Sequence, residues 1–486
     1  MGVCRPSPSA VGAGLAAAGG AAGAGGGIVG GGGGVAPPSC VEDGRVKLRS
    51  NATCVEGERK DRARHSSSTI LRGATLSHAK CMLPLLRNGR LASSLLWVLP
   101  LLIWFYIRLT KKTVMFDHSN IAYRWAYKIN RDPNGTILDS LAYVHMGMVE
   151  SLPNGSICAV FQGSESNYEG SVNQNLYWTT SSDGGKTWSK MEVLLKGDGV
   201  ALWSPVVLSE SGRVWLFFSR SSRRCKYYDR SRGVTRFSPG GDLQYASSDD
   251  SGLSWTTPQT VYSFEAEEGM PKVIANKICV LSTGAWVLPF WREPGRTCPP
   301  KRILPVLEYP QGSGGVLISG DQGLTWSVHG RLSTPETWLI ENTVAELRDH
   351  TLLQFFRSKK NWVYQSTSQD MGQTWSPPTP TVLLNPDSKV HLLSLPNGHL
   401  LCAFNPSPTK RTPLFISLSR NDGNSWNALA HLETDSSKSF SYPTMLAFKG
   451  KLLTIYSVMA VENFRSFCVG MKVAILQLQG SQVQIS

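Results

Sequence analysis

A glutamate and a tyrosine, Glu341 and Tyr442, and three arginines, Arg220, Arg292 and Arg357, fall at equivalent places in a series of short strand pairs. Each pair is an apolar strand, a tight turn and a second apolar strand, the first being Val144–Ser151, Leu152-Pro-Asn-Gly155 and Ser156–Gln162. Antiparallel partners run in opposite directions, so the start of the first strand and the end of the second share one end of the pair. Counting back eight or nine residues from each turn selects His145, Ser204, Asn276, Glu341, Ser388 and Tyr442. Counting forward seven or eight selects Gln162, Arg220, Arg292, Arg357, Asn405 and Val458. Singly, an arginine at a strand end is usually solvated and a tyrosine near a strand start usually packs. Their common register is what points to a binding surface carried on one face of a rigid scaffold. Several guanidiniums converging there suit a carboxylate, which they grip in a two-point fork.

The elements that position these residues repeat along the chain. Five octapeptides recur: Ser181 to Trp188, Ser248 to Trp255, Ser319 to Trp326, Ser368 to Trp375 and Ser419 to Trp426, each of the form Ser-x-Asp/Asn-x-Gly-x-Thr/Ser-Trp. The pattern is a hairpin staple, in which the Asp or Asn side chain bonds its own turn, Gly takes the positive-φ place and Trp packs into the sheet. Asp183, Asp250, Asp321 and Asp370 are therefore structural rather than catalytic. Between the staples lie the tight turns, at Asn154-Gly155, Ser211-Gly212, Thr283-Gly284, Asp349-His350, Asn397-Gly398 and Lys449-Gly450. Six turns predict six blades, and hence an all-β, six-bladed β-propeller over residues 113–486. The last blade has no staple, and Asn120–Lys128 is expected to supply its outer strand and close the ring.

Charge divides the chain unequally. Residues 1–112 hold 15 Lys/Arg against 5 Asp/Glu, +10 of the net +14, which leaves +4 for the rest and removes the main support for nucleic acid as a partner. Residues 1–90, Gly/Ala-rich and then basic, read as disordered, with residues 1–81 alternatively lying upstream of a start at Met82. Residues 91–107 carry no charge and read as a transmembrane or signal-anchor helix, with a cleaved signal or a buried helix as alternatives. The expected location is a single-pass membrane protein of the secretory pathway, in the Golgi or at the cell surface, or a protein secreted after signal cleavage. Asn51-Ala-Thr, Asn134-Gly-Thr and Asn154-Gly-Ser match the glycosylation acceptor pattern. Ten cysteines show no CxxC or Cys/His cluster, so neither a zinc site nor any other metal or cofactor is expected. Six of them lie in the propeller segment, which permits disulfides without requiring them.

With these features together, the segment from about 140 to 460 resembles the sialidase (neuraminidase) superfamily, in its branch with Asp-box (BNR) repeats. Glu341-Asn-Thr-Val-Ala-Glu-Leu is similar to the stretch that holds a catalytic glutamate in that family. Arg357 in Phe-Phe-Arg-Ser and Arg411 in Lys-Arg-Thr-Pro-Leu-Phe-Ile-Ser fall where the family binds its substrate carboxylate, and Tyr442 of Ser-Tyr-Pro where it has its nucleophile. The resemblance implies that Glu341 takes the proton of Tyr442, whose phenolate attacks the anomeric carbon without the repulsion a carboxylate nucleophile would meet. A separate acid must protonate the leaving oxygen. The family uses an aspartate on a loop that here reads Gly163-Ser-Glu-Ser-Asn-Tyr-Glu-Gly170, so Glu169 or Glu165 is the candidate. The family's first clamp arginine corresponds to His145-Met-Gly. Either a protonated His145 binds the anion, or Arg292 or Arg220 reaches in, or the substrate differs, or His145 is a general base toward another acidic sugar or a core residue.

The leading expectation is a sialidase-like retaining glycosidase acting on a terminal acidic sugar of a glycan or glycoconjugate. Tyr442, Glu341 and Glu169 are its catalytic residues, and Arg357 and Arg411, with His145, Arg292 and Arg220, bind substrate. The rivals are a non-catalytic carbohydrate-binding propeller, a glycosidase or lyase for uronic-acid glycans using His145, and a purely structural interaction disc.

Overall fold

Short β-branched and aromatic runs separated by turns fold into antiparallel meanders, and in this computed structural model they arrange as a propeller-like ring. The structure describes residues 121–267, 269–293, 312–462 and 465–478. The expected disordered segment 1–90 and the apolar helix 91–107 lie outside these residues. Among the described residues the one helical element is the 3-10 turn Phe264–Glu267, and no helix is long and apolar enough to cross a membrane.

Four of the sheets are four-stranded meanders. The first runs from Tyr143–Ser151 through Ile157–Ser164 and Asn175–Ser181 to Glu192–Leu195; two others span 340–384 and 391–433. The fourth combines Lys438–Phe448, Lys451–Glu462 and Arg465–Gln477 with Ile121–Lys128, which pairs on Arg465–Gln477 from Ile121↔Leu476 to Lys128↔Gly470. The early segment thus closes the last sheet, as its sequence suggested. The first strands of successive meanders touch, and Lys438–Phe448 returns against Tyr143–Ser151.

The count of separate sheets differs from the sequence-based six. Residues 202–332 form one nine-stranded sheet, because Gly241 on the strand Gly241–Ser248 pairs with Lys272 on Lys272–Ile274. Gly241 also pairs on its other side with Arg213–Ser221, where a Cβ would come within 1.9 Å of the Arg220 carbonyl oxygen. A two-stranded ribbon, Lys226–Asp229 with Val234–Phe237, projects from the same region.

The octapeptides are staples, as expected. In the first, Asp183 Oδ1 accepts from the Thr187 amide at 2.9 Å and Oδ2 from the Thr187 hydroxyl at 2.6 Å, while Ser181 Oγ accepts from the Gly185 amide at 2.8 Å. Asp250, Asp321 and Asp370 repeat the pattern. These bonds hold the four carboxyls below the usual carboxylate range. The staples also lock sheet to sheet: Trp255 meets Trp178 edge-on at 5.8 Å. Cys158, Cys279, Cys402 and Cys468 are free thiols, whereas Cys225 is disulfide-bonded.

Gly252 has φ +93°, and an added Cβ would lie 2.5 Å from the Trp178 ring. Gly252→Ala is therefore expected to lower stability by about 2 kcal/mol, from left-handed strain plus overpacking. The midpoint of urea unfolding, with an unchanged slope, measures this.

Candidate active site

Four first strands carry the same backbone irregularity. Pairing slips between His145 and Met148, Trp203 and Val206, Ile340 and Thr343, and Ser441 and Thr444. At each slip one non-glycine residue turns left-handed: Met146 (φ 57°), Ser204 (50°), Glu341 (51°) and Tyr442 (60°). Such a conformation costs about 1–2 kcal/mol per residue and collects where a side chain must be re-aimed. All four residues line one pocket of about 200 Å³, together with Glu169, Trp203, Pro239, Val273, Trp291, Glu293, Trp338, Ile340 and Arg357.

At the pocket wall Tyr442 Oη donates to Glu341 Oε1 at 2.7 Å. Arg357 Nη1 donates to that same carboxylate oxygen at 2.8 Å and to Tyr442 Oη at 2.6 Å. Three buried groups thereby close a triangle. Asp387, itself left-handed at φ 58°, accepts from Arg357 Nε at 2.8 Å and Trp338 Nε1 at 3.2 Å, while its carbonyl accepts from Arg411 Nη2 at 2.7 Å. Arg411 lies over the Tyr442 ring at 5.5 Å. Burial opposes the Arg357 charge, but Glu341, Tyr442 and Asp387 more than offset it, so its pKa is raised. Burial raises the Tyr442 pKa far above that of free phenol, with Arg357 pulling the other way. The tyrosine therefore rests as a neutral phenol hydrogen-bonded to a carboxylate, and Glu341 Oε2 is buried with no partner among the described residues.

Glu169 faces this triangle from the loop after Ile157–Ser164. Its Oε1 accepts from Gln162 Nε2 at 2.7 Å, and Gln162 Oε1 accepts from the Ser204 amide at 2.8 Å. Burial raises its pKa against the opposing pull of Arg236 and Gln162. Its rival Glu165 instead accepts from Asn173 Nδ2 at 3.3 Å and is not part of the pocket lining.

The structure separates the remaining sequence candidates from the pocket. Counting from the turn selected His145, but the slip in its strand presents Met146 to the pocket instead. His145 lies behind, its ring 4.1 Å from that of Tyr442 and its Nδ1 2.7 Å from Ser457 Oγ. Burial, then Arg411 and Arg357, lower its pKa to about 3, so it is neutral and does not act as a protonated anion ligand. Arg292 is saturated: Nε and Nη2 donate to Glu267 at 2.8–2.9 Å and Nη1 to the Gly330 carbonyl at 3.3 Å. Arg220, half-buried on Arg213–Ser221, is likewise not a lining residue. Neither arginine enters the pocket lining. Asn276 is a clasp behind the site, its Nδ2 donating to the carbonyls of Glu341, Asn342 and Val390 at 2.9–3.2 Å.

Sequence reasoning passed over Trp203, Trp291 and Trp338, Glu293 and Asp387. Trp291 and Glu293 flank Arg292 at a strand end already selected, and Asp387 adjoins the selected Ser388. The three tryptophans give the pocket flat apolar walls of the kind sugar rings stack on. Glu293 accepts from Trp291 Nε1 at 2.9 Å, and burial raises its pKa. No group of residues able to hold a metal ion occurs among the described residues.

Residues 154–455 match the family described as BNR repeat-like domain, and the chain belongs to that family. Its fold is shared with a Dyadobacter fermentans protein of unknown function at 17% identity and TM-score 0.58, covering 74% of this chain and 100% of the other. Trypanosoma rangeli sialidase aligns at 16% identity and TM-score 0.54 over 73% of this chain and 59% of its own length. The intramolecular trans-sialidase of Ruminococcus gnavus, solved with oseltamivir carboxylate, aligns at 14% and 0.54 over 71% and 96%. Comparison with curated protein sequences finds no match.

Because His145 is buried neutral, the unfolded chain binds more protons than the folded one below the ordinary histidine value of 6.5. The stability that neutral His145 contributes is complete above pH 6.5 and is lost as pH falls toward about 3. His391, also buried, has its pKa lowered in the same direction. Urea midpoints at pH 7.5 and 5 should differ, and His145→Gln should flatten that difference relative to the wild type.

Proposed function

We propose that this protein is a retaining glycoside hydrolase of the sialidase class that removes a terminal acidic sugar from glycans. The observation that carries the reading is the Tyr442–Glu341–Arg357 triangle, with its 2.6–2.8 Å contacts, on the wall of a tryptophan-lined pocket. Glu341 removes the Tyr442 proton as the phenolate attacks the anomeric carbon, and Arg357 stabilises the charge that develops on the phenolic oxygen. Glu169, whose pKa burial raises, gives its proton to the departing glycosidic oxygen. In the second half a water molecule loses a proton to the Glu169 carboxylate and attacks the anomeric carbon. The tyrosyl oxygen then leaves and recovers its proton from Glu341.

Arg357 and Arg411, yoked by Asp387, are the two arms that receive the substrate carboxylate. Where a third arm would stand the first strand presents Met146, so carboxylate recognition rests on two guanidiniums and on stacking against Trp203, Trp291 and Trp338. The recessed position of His145, and a pKa lowered to about 3 that makes it a weak base, argue against a lyase reading in which it serves as general base.

The six-blade count belongs to the same reading. The nine-stranded sheet is two meanders joined through the single pair Gly241–Lys272, and its neighbours supply four more. The membrane anchor at 91–107 and the secretory location accompany it, as they would bring the pocket to mature glycans.

Release of methylumbelliferone from its α-sialoside by the full chain tests the proposal. Tyr442→Phe is expected to reduce turnover about a thousandfold or more. Activity retained in that variant, or wild-type protein that binds sialosides without turning any over, would sink the enzymatic reading. The raised pKa of Glu169 places the alkaline decline of kcat above the ordinary carboxyl range, since the acid form is lost as pH rises through it. Glu169→Gln should abolish that decline. It should also slow release of a poor sugar leaving group about a hundredfold more than release of methylumbelliferone, which needs little acid assistance.

A further inference from the structure

Glu169 separates two cavities. Its carboxyl, bonded to Gln162, belongs to the pocket of Tyr442, and it also lines a second cavity of about 270 Å³. Its carbonyl accepts from Arg236 Nε at 2.7 Å, which ties it to that second cavity. There Arg131, Arg232 and Arg236 gather with Tyr143, Tyr168 and Phe467. Glu169 is the one acidic residue of the described lining.

The partners of the three arginines leave positive charge over. Arg236 Nη1 donates to Asp229 at 2.9 Å, and Arg232 stands 3.9 Å from the same carboxylate. Arg232 is otherwise half in solvent, with 48% of its side chain exposed. Arg131 lies over the Phe467 ring at 4.9 Å and donates from Nη1 to the Gly135 carbonyl, and its Nε is buried with no partner among the described residues. Three guanidiniums against one carboxylate leave a net charge of about +2 beside Glu169, in a cavity partly walled by aromatic rings, where screening is weaker than in bulk water.

An acid that protonates a leaving oxygen must sit at the scissile bond. If the terminal sugar occupies the Tyr442 pocket, the bond crosses Glu169 and the departing sugar continues into the cationic cavity. We propose that this cavity binds an oxyanion, sulfate or carboxylate, carried by the leaving-group sugar, so that the enzyme selects glycans acidic on both sides of the bond it cleaves. The proposal rests on Glu169 as the acid.

Two measurements test it on the full chain. In the first, lactose 6-sulfate, lactobionate and neutral lactose are titrated calorimetrically at low salt. One or both anions should bind at least about tenfold more tightly than lactose, and the tighter of the two identifies the oxyanion. Arg232→Ser, at an exposed position, and Arg131→Met should each remove about that factor. In the second, kcat/KM is compared for sialyllactose with and without a sulfate on galactose, and the ratio favouring the sulfated form should fall about tenfold in Arg232→Ser. Equal affinity for lactose and both anions, or a ratio that Arg232→Ser leaves unchanged, overturns the proposal. Anion binding lost in Arg232→Ser, in a protein that turns over no sialoside, upholds the ligand class and overturns the catalytic reading of Glu169.

Discussion

A guanidinium cannot be taken out of water without anionic or acceptor partners, and much of this molecule's upper face is arranged around that demand at Arg357. Its Nη1 and Nε meet Glu341, Tyr442 and Asp387 within 2.8 Å, and these three come from different sheets or from the loop before His391–Ser394. The ring geometry brings them together, and the left-handed residues aim them. Replacing the arginine by an apolar residue would leave Glu341 buried without its cation, whereas leaving it in place fixes the phenol's only acceptor. The same charge, with that of Arg411, helps keep His145 neutral behind the tyrosine.

The pocket therefore combines carboxyls in two kinds of surroundings. Burial holds the carboxyls of Glu169 and Glu293 toward their acid forms, while Asp387 and Glu341 lie against cations. Under the proposed mechanism, a site that donates one proton and receives another benefits from carboxyls in such unlike surroundings. The division follows from where the arginines are, since the pocket lining contains Arg357 and no other basic residue.

What the sequence disclosed depended on how local each determinant is. The staples and turns could be read directly, because Asp183 binds Thr187 four residues away and Gly155 bonds back to Leu152. Glu341, Arg357 and Tyr442 could be placed because two-strand register carries over from meander to meander. The same counting chose His145 over Met146, since a bulge shifts register by one residue and leaves no mark in a run as apolar as Val144–Val149. Arg292 looked available because its partner, Glu267, lies on a short 3-10 turn in an intervening segment. The merging of two meanders depends on one backbone pair at Gly241, and the tryptophans of the pocket wall look in sequence like those of the core.

The pairing of Ile121–Lys128 on Arg465–Gln477 also has a consequence for how the molecule comes to be made. During synthesis the earliest described strand leaves the ribosome without the neighbour it will pair with, and that neighbour is the last strand described. Until then both edges of an incomplete ring stay open, as templates for pairing with other chains. Closure joins segments separated by nearly the whole ring, so the slowest contact to form is the one that makes the structure continuous. Such a protein has a chaperone-dependent interval built into its topology, and a chain terminated early would be released with its first strand unpaired, as a substrate for aggregation or degradation rather than as a smaller closed ring.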